Sequence, residues 1–316
     1  MITKKIITVI GATGAQGGGL ARAILNDPHS NFAVRAVTRD PNSDKAKALA
    51  RLGADVVAAD LDDPDSLERA FNGAYGAFCV TFFWAHFSPD LEIAQAKRMA
   101  HAARKANLKH VIWSTLEDSR QWVPVSDTRI PTLMGKYKVP HMDAKGEADQ
   151  AFIEAGVPTT FLLTSFFWEN FIYFGMGPRR GADGKLAITL PLMGAQLAGM
   201  AAEDIGKCAY GIFQAGLPAH NQRVGIAGEF LTGAHMAQAM GHTLGEDIAF
   251  NDVPPHVYRS FGFPGAEELG NMFQIEAEYA DVVLGNRSID MSRRLNPELQ
   301  SFDMWLARNK AHIPRT

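Results

Sequence analysis

Cysteine is nearly absent. Only Cys79 and Cys208 occur in 316 residues. Two cysteines cannot build a disulfide framework, and both lie in apolar stretches, so they read as buried thiols rather than reactive ones. Long hydrophobic runs are also missing, and none approaches the roughly 18–20 residues of a membrane span. The sequence has no run of Lys or Arg, and its formal net charge is −3. That removes the electrostatic footprint of a nucleic-acid binder. The N-terminus leads straight into a strand pattern, without a signal-peptide profile. Together these absences predict a reduced, cytoplasmic protein with no membrane contact.

What is present is an ordinary globular composition, 47% hydrophobic and 21% charged. It suffices for one large α/β domain plus a smaller lobe. "IITVIG" (6–11) is β-branched and continuously apolar, as a parallel strand buried on both faces should be. Further strand patterns lie at 32–39, 54–60, 74–81, 110–115 and 158–164. Helical patterns alternate with them at 14–26, 44–53, 63–73 and 90–106. Gly53 stops the second helix, and Asp63 with Pro64 reads as the N-cap and first residue of the third. Such alternation implies right-handed βαβ crossovers. The expected fold is a Rossmann-type doubly wound parallel sheet with a smaller mixed α/β C-terminal lobe. The expected division is 1–165 and 166–316, with part of the second segment returning to the sheet.

"VIGATGAQGGG" (9–19) spaces Gly11, Gly14 and Gly17 as G-x-x-G-x-x-G, after a strand and before a helix. Each Gly inside a helix costs about 1 kcal/mol relative to Ala. The run Gly17–Gly19 is therefore a poor choice for stability alone. Close approach of a pyrophosphate to the backbone explains it, with free N–H donors and a positive dipole at the helix N-terminus. The second strand ends in "VTRDP". Arg39 suits a bidentate clamp on a ribose 2′-phosphate, so NADP(H) is expected in preference to NAD(H). Asp40 suits either a ribose hydroxyl or a neighbouring cation. Asp60 and Leu61 end the third strand where an adenine would be met, although Asp60 equally suits a turn. Thr81, Phe82 and Phe83 end the fourth strand, where the backbone passes the middle of the cofactor.

In "KVPHMDAKGEADQAF" (138–152) a helix begins after Pro140. His141 and Lys145 stand four apart on one face, the spacing of a reductase Tyr-x-x-x-Lys pair with His in place of Tyr. Lys145 suits a hydrogen bond to the nicotinamide ribose. His141 suits a general acid near neutral pH, but the first helical turn disfavours its charged form. A packed or capping histidine is the alternative. Tyr137 reads as a loop residue, cut off from that helix by Pro140. Ser114 or Thr115 would orient a carbonyl or simply end its strand.

Two aromatic runs, "TFFWAHF" (81–87) and "TSFFWENF" (164–171), each follow a strand and should reach the carboxyl edge of the sheet. They read either as a lobe interface or as a pocket for an apolar or aromatic ligand. Glu169 and Asn170, polar in that setting, call for hydrogen-bond partners.

The stretches "GATGAQGG" (11–18), "VTRDP" (37–41), "NGAYGAFCVT" (72–81), "HMDAKGEAD" (141–149), "WEN" (168–170), "GFPGAEELGNMF" (262–273) and "LNPELQSFDMWL" (295–306) together resemble the NmrA-like family. These are atypical short-chain dehydrogenase/reductases, and the resemblance is nearest to the redox-sensor members. It spans essentially the whole chain. It implies cofactor contacts from Gly11, Ala12, Thr13, Gly14, Ala15, Gln16 and Gly17. Further contacts are implied for Arg39, Asp60, Leu61, Thr81, Phe82, Phe83, Lys145, and the segment Phe167, Trp168, Glu169 and Asn170. The pattern departs at Asn42 and Ser43, where the sensors carry basic residues, and at Ala94, where they carry Lys.

Two functions follow. One is an NADP(H)-dependent reductase of an apolar carbonyl, quinone or enone, using Lys145, His141 and Ser114. The other is a non-catalytic NADPH/NADP sensor that regulates a protein partner. A homodimer is compatible with both, and no metal site is expected.

Overall fold

The computed structural model describes residues 4–216 and 221–315. Strands β1 (Lys5–Val9), β2 (Phe32–Thr38), β3 (Asp55–Ala58), β4 (Gly76–Cys79), β5 (His110–Thr115) and β6 (Thr159–Leu163) are joined by helices. These are α1 (Ala15–Asn26), α2 (Asp44–Arg51), α3 (Pro64–Phe71), α4 (Pro89–Lys105) and α5 (Pro140–Ala155). The chain continues through β7 (Phe166–Phe167), α6 (Asn170–Tyr173), β8 (Arg179–Arg180), β9 (Leu186–Leu190), β10 (Gln196–Met200) and α7 (Ala202–Ala215). Then β11 (Gln222–Gly225) returns to pair with β6. The sheet order is β11-β6-β5-β4-β1-β2-β3, and every pairing is parallel. This is the expected Rossmann-type fold. Every residue of β5 and β6 is buried, as continuous apolar runs in a sheet covered on both faces require.

The remaining elements are β12 (Glu229–Thr232), α8 (Gly233–Leu244), β13 (Ile248–Asp252), α9 (Pro255–Arg259), α10 (Ala266–Glu278), α11 (Ala280–Gly285), α12 (Ile289–Leu295) and α13 (Phe302–Asn309). Two small mixed sheets, β12-β10-β7 and β13-β9-β8, accompany them. Their core gathers Phe166, Trp168 and Phe171 with Phe273, Phe302 and Trp305.

Local chemistry sets the helix ends. Asp63 accepts from the N–H groups of Asp65 and Ser66, with Pro64 at the first helical position. Ser43, one of the departures from the sensor pattern, caps α2 by accepting from Ala46 N–H. Helix α5 begins at Pro140 without a cap from its N-cap side chain. Its entry is held instead by Asp143, whose Oδ2 accepts from Lys138 N–H at 2.7 Å and Val139 N–H at 3.1 Å.

The glycine run needs a different explanation from the one the sequence suggested. A Cβ on Gly19 would lie 2.3 Å from the Glu203 carbonyl oxygen of α7, and one on Gly206 would lie 2.1 Å from Leu20 N of α1. These two glycines let α1 and α7 cross in contact. Gly17 packs against the carbonyls of Ile10 and Gly11. Both cysteines are buried, and burial pushes their thiols far above the usual range. Among the described residues no helix is long and apolar enough to cross a membrane.

Candidate functional site

Strand order reverses between β1 and β4, and the carboxyl ends of these strands flank the crevice where open α/β sheets take ligands. The loop from Gly11 to Gly17 leaves β1 there. Gly11 sits at φ +64°, the left-handed region that favours glycine. Gly14 caps α1 in extended conformation with no side-chain acceptor. Gly14 N–H bonds the Gly11 carbonyl and Gly18 N–H bonds the Gly14 carbonyl. That register leaves the N–H groups of Ala15, Gln16 and Gly17 pointing out of the helix end, a cradle for an anion. Gly11, Gly14 and Ala15 are exposed, Thr13 and Gln16 half-buried, and Ala12 and Gly17 buried. Gln16 Oε1 accepts from Ser114 Oγ at 2.7 Å. Ser114 at the end of β5 is thereby tied to the loop.

Arg39 and Asp40 are both exposed at the end of β2. Asp40 turns inward, its Oδ1 accepting from Asn42 N–H at 2.9 Å. Arg39 has no side-chain partner among the described residues and stands free beside the crevice. Asp60 forms a turn: its Oδ1 accepts from Asp62 N–H, and its backbone is bonded to Ser66 Oγ. Leu61 is half-buried, its carbonyl accepting from Arg98.

The centre of the site is Lys145. Its Nζ donates to Thr81 Oγ1 at 2.7 Å and lies 2.9 Å from Glu92 Oε1. Thr81 in turn donates to the same Glu92 oxygen at 2.5 Å. Glu92 belongs to α4 and is fully buried. Its Oε2 is 3.3 Å from Nε2 of His86, without the alignment of a hydrogen bond. His86 Nδ1 accepts from Ser88 N–H, so the ring proton sits on Nε2, facing the carboxylate. Lys145 also lies 5.0 Å over the Trp113 ring.

Behind that ring is Asp149, which accepts from Trp113 Nε1, Thr115 Oγ1 and Arg223. Burial pushes its carboxyl up to about 6, against the pull of those donors. An ammonium has three donors; Thr81 and Glu92 engage two, and the third has no partner among the described residues.

One turn earlier stands His141, buried to 7% exposure. Both its backbone N–H, at 2.6 Å, and its Nδ1, at 2.7 Å, meet Glu268 Oε1 of α10. A carboxylate only accepts, so Nδ1 carries the proton. The ring packs 5.0 Å from Trp84 and 6.0 Å from Phe83, centroid to centroid. The positive end of the α5 dipole, expected to disfavour a charged His141, thus meets a counter-charge in the Glu268 carboxylate. Glu268 opposes the dipole and supplies the cap that α5 lacks. Tyr137 lies in the preceding loop, as expected, but is 1% exposed.

The two aromatic runs do not merge into one pocket. Phe83, Trp84 and Phe87 pack on one another, and Phe83 and Trp84 also on His141, while Phe82 is 58% exposed. Phe166, Trp168 and Phe171 belong to the second core. Among the described residues no ring pair joins the runs; only Trp84 rests against that core. Trp168 is sealed against Phe302 and Trp305. Glu169 accepts from Ala202 N–H at the start of α7 and from Trp305 Nε1, and burial raises its carboxyl above the usual range. The Trp168 ring and the Glu169 carboxylate, expected beside the cofactor, thus have protein partners of their own. Phe167 and Asn170 remain half-buried.

Glu92 and Glu268 were not singled out from the sequence. Glu92 left a signal: an acid on the same stripe of α4 as Ala96, Met99 and Ala103, all buried. Glu268 left none, because α10 buries nearly its whole first half.

A cleft of about 470 Å³ opens beside the start of α5. Phe87, Leu133, Met134 and Pro140 form one side, and residues from Arg259 to Glu268 the other. A larger one, about 930 Å³, is lined only by residues between Ala234 and Phe250 of α8 and β13. It shares no residue with the glycine loop or α5, whereas the smaller cleft takes Pro140, the first residue of α5, into its wall. Among the described residues no cluster of metal-ligating side chains occurs.

Known proteins share this organisation. The NmrA-like oxidoreductase PtmS of Penicillium ochrochloron is 28% identical over 343 aligned residues, covering 98% of this chain and 99% of its own. The crystal structure of NmrA, a negative transcriptional regulator, in complex with NADP superposes with a TM-score of 0.77 at 22% identity, over 96% of this chain and 95% of that one. Triphenylmethane reductase from Citrobacter sp., complexed with NADP(H), gives a TM-score of 0.73 at 19% identity, over 97% and 99%. The sequence profile of the NmrA-like family matches residues 3–306, and the chain belongs to that family.

Proposed function

We propose that this protein is an NADP(H)-dependent reductase of an apolar carbonyl, quinone or enone. The observation that carries the reading is Lys145. It stands at the carboxyl end of β4, oriented by Thr81 and Glu92, with one N–H left for a ribose hydroxyl. The glycine loop fits a pyrophosphate, since its helix end has no cap of its own and its outer residues are exposed. Free Arg39 fits a 2′-phosphate. Asp60 and Leu61 fit the adenine side, and Thr81, Phe82 and Phe83 the middle. Phe167 and Asn170, rather than Trp168 and Glu169, are available on the far side. Bound there, the reduced nicotinamide supplies a hydride. Lys145 holds the ribose, and His141 is the nearest candidate to deliver a proton. Ser114 acts by fixing Gln16. Residues 1–165 would then hold the cofactor and 166–316 the substrate. Neighbouring folds solved with NAD, NADP and NADP(H) support the cofactor class, and a curated relative named as an oxidoreductase supports the reaction type.

The test is calorimetric titration with NADPH, NADP⁺, NADH and NAD⁺, followed by a quinone and aromatic-aldehyde panel. Arg39→Ala should weaken NADPH about 10- to 100-fold, the loss of a charge-assisted pair, and leave NADH nearly unchanged. Equal loss for both cofactors would remove the 2′-phosphate assignment.

A second reading, a non-catalytic sensor, draws on exposed apolar side chains after β4 and at the end of α6. Phe82 is 58% exposed, Tyr173 72% and Phe174 48%, a surface a protein partner could read. Tight NADPH binding without turnover across the panel would favour it.

A further inference from the structure

We infer that His141 and Glu268 form the proton-donating dyad of this site, serving a flat aromatic carbonyl compound that enters through the 470 Å³ cleft. The inference rests on the reductase reading and adds the donor and the substrate shape. Glu268 approaches His141 from the second half of the chain and takes two hydrogen bonds on one oxygen, at 2.6 and 2.7 Å. The first fixes the helix end and the second fixes the ring. With Nδ1 committed, Nε2 is the only ring position that can exchange a proton. Nε2 has no protein partner among the described residues, and it is not among the fully buried unpaired atoms. The residual exposure of this ring therefore includes Nε2. The Glu268 carboxylate faces the imidazolium that such a donor must hold between turnovers, the arrangement that orients catalytic histidines elsewhere.

The cleft runs beside this dyad, although His141 itself is not among its lining residues. Pro140 and Glu268, the neighbours of His141 in chain and in space, both line it. Its rim carries exposed Phe87, Met134 and Phe263. Flat, polarisable surfaces suit an aromatic ring. Hydride from the reduced nicotinamide goes to the carbonyl carbon, and the C=O π pair collapses onto oxygen. That oxygen takes the Nε2 proton, and the imidazole recovers a proton from water. His141 is the catalytic residue in this scheme and Glu268 the positioning residue.

The experiment uses the full chain with NADPH and 9,10-phenanthrenequinone. Glu268→Gln keeps an amide oxygen able to accept both hydrogen bonds and removes only the charge. It should lower kcat about 100-fold while leaving KM and NADPH affinity close to wild type. His141→Phe should lower kcat at least as much, and the double variant no further, as residues acting as a unit do. Independently of activity, proton NMR of the wild type should show a strongly deshielded Nδ1–H of His141, which Glu268→Gln moves upfield. Wild-type turnover with an unchanged Glu268→Gln, or no such resonance, overturns the dyad and leaves the reductase reading standing. NADPH binding with no wild-type turnover of any panel member overturns both.

Discussion

One turn of α5 separates Lys145 from His141, and a buried glutamate fastens each of them. The two glutamates come from different halves of the chain. Glu92 sits on α4, whose Ser88 cap and Pro89 start follow directly from β4 and its 3₁₀ turn, so the Lys145 end is assembled within the Rossmann half. Glu268 reaches His141 across 127 residues of sequence. The half proposed to hold the cofactor is thus locally built, and the end proposed to meet a substrate depends on the second half. A second half of different sequence could change the chemistry over His141 without disturbing the grip on Lys145.

Breaking the first pairing should have the largest effect. Lys145→Met leaves Glu92 buried without its cation, and removing one partner of a buried pair costs about 3–5 kcal/mol. Urea denaturation should show that loss. The double variant Lys145→Met/Glu92→Leu should recover most of it, because an apolar pair of similar volume is tolerated there. Equal destabilisation in single and double variants would show that the pair is not what holds this end.

A half-buried glutamate with a sealed carboxylate oxygen sharpens the contrast, because among the described residues no cation is hydrogen-bonded to it. Glu276 of α10 has a buried Oε2 with no partner. Burial pushes its carboxyl from 4.5 up to about 7, Arg287 pulls the other way and Glu117 pushes it further up. The folded state therefore keeps a proton that the unfolded chain releases near pH 4.5. The stability this contributes is complete below that pH and is lost as pH rises through about 7. Glu276→Gln should be neutral near pH 4 and stabilising by roughly 2 kcal/mol near pH 8, read as a rise in Tm. A variant equally neutral at both pH values would show that Glu276 is not held protonated.

The Rossmann half was legible because its signals are local. Continuous β-branched runs gave β1, β5 and β6. Asp63–Pro64 marked the start of α3, and the glycine spacing marked the loop. The placement of Lys145 and His141 on one helix face followed from their spacing. What was not legible depended on distant partners. The Gly17–Gly19 run was read as ligand space, yet Gly19 answers to Gly206 on α7. The resemblance implies cofactor contacts at Trp168 and Glu169, and the partners that α7 and α13 give these side chains leave no local signal. His141 was judged by its own helix dipole, and its counter-charge came from α10. Each case involves a side chain or backbone surface whose partner lies far along the chain, where periodicity carries no information.

On the proposed reading the two glutamates divide the work, Glu92 supporting cofactor holding and Glu268 supporting proton delivery. One measurement tests it most directly: the NADPH dissociation constant and the single-turnover rate, determined side by side for Glu92→Gln and Glu268→Gln. NADPH binding should weaken in Glu92→Gln, whereas Glu268→Gln should slow the turnover step with binding unchanged. If both variants change the same quantity by the same factor, the division is contradicted.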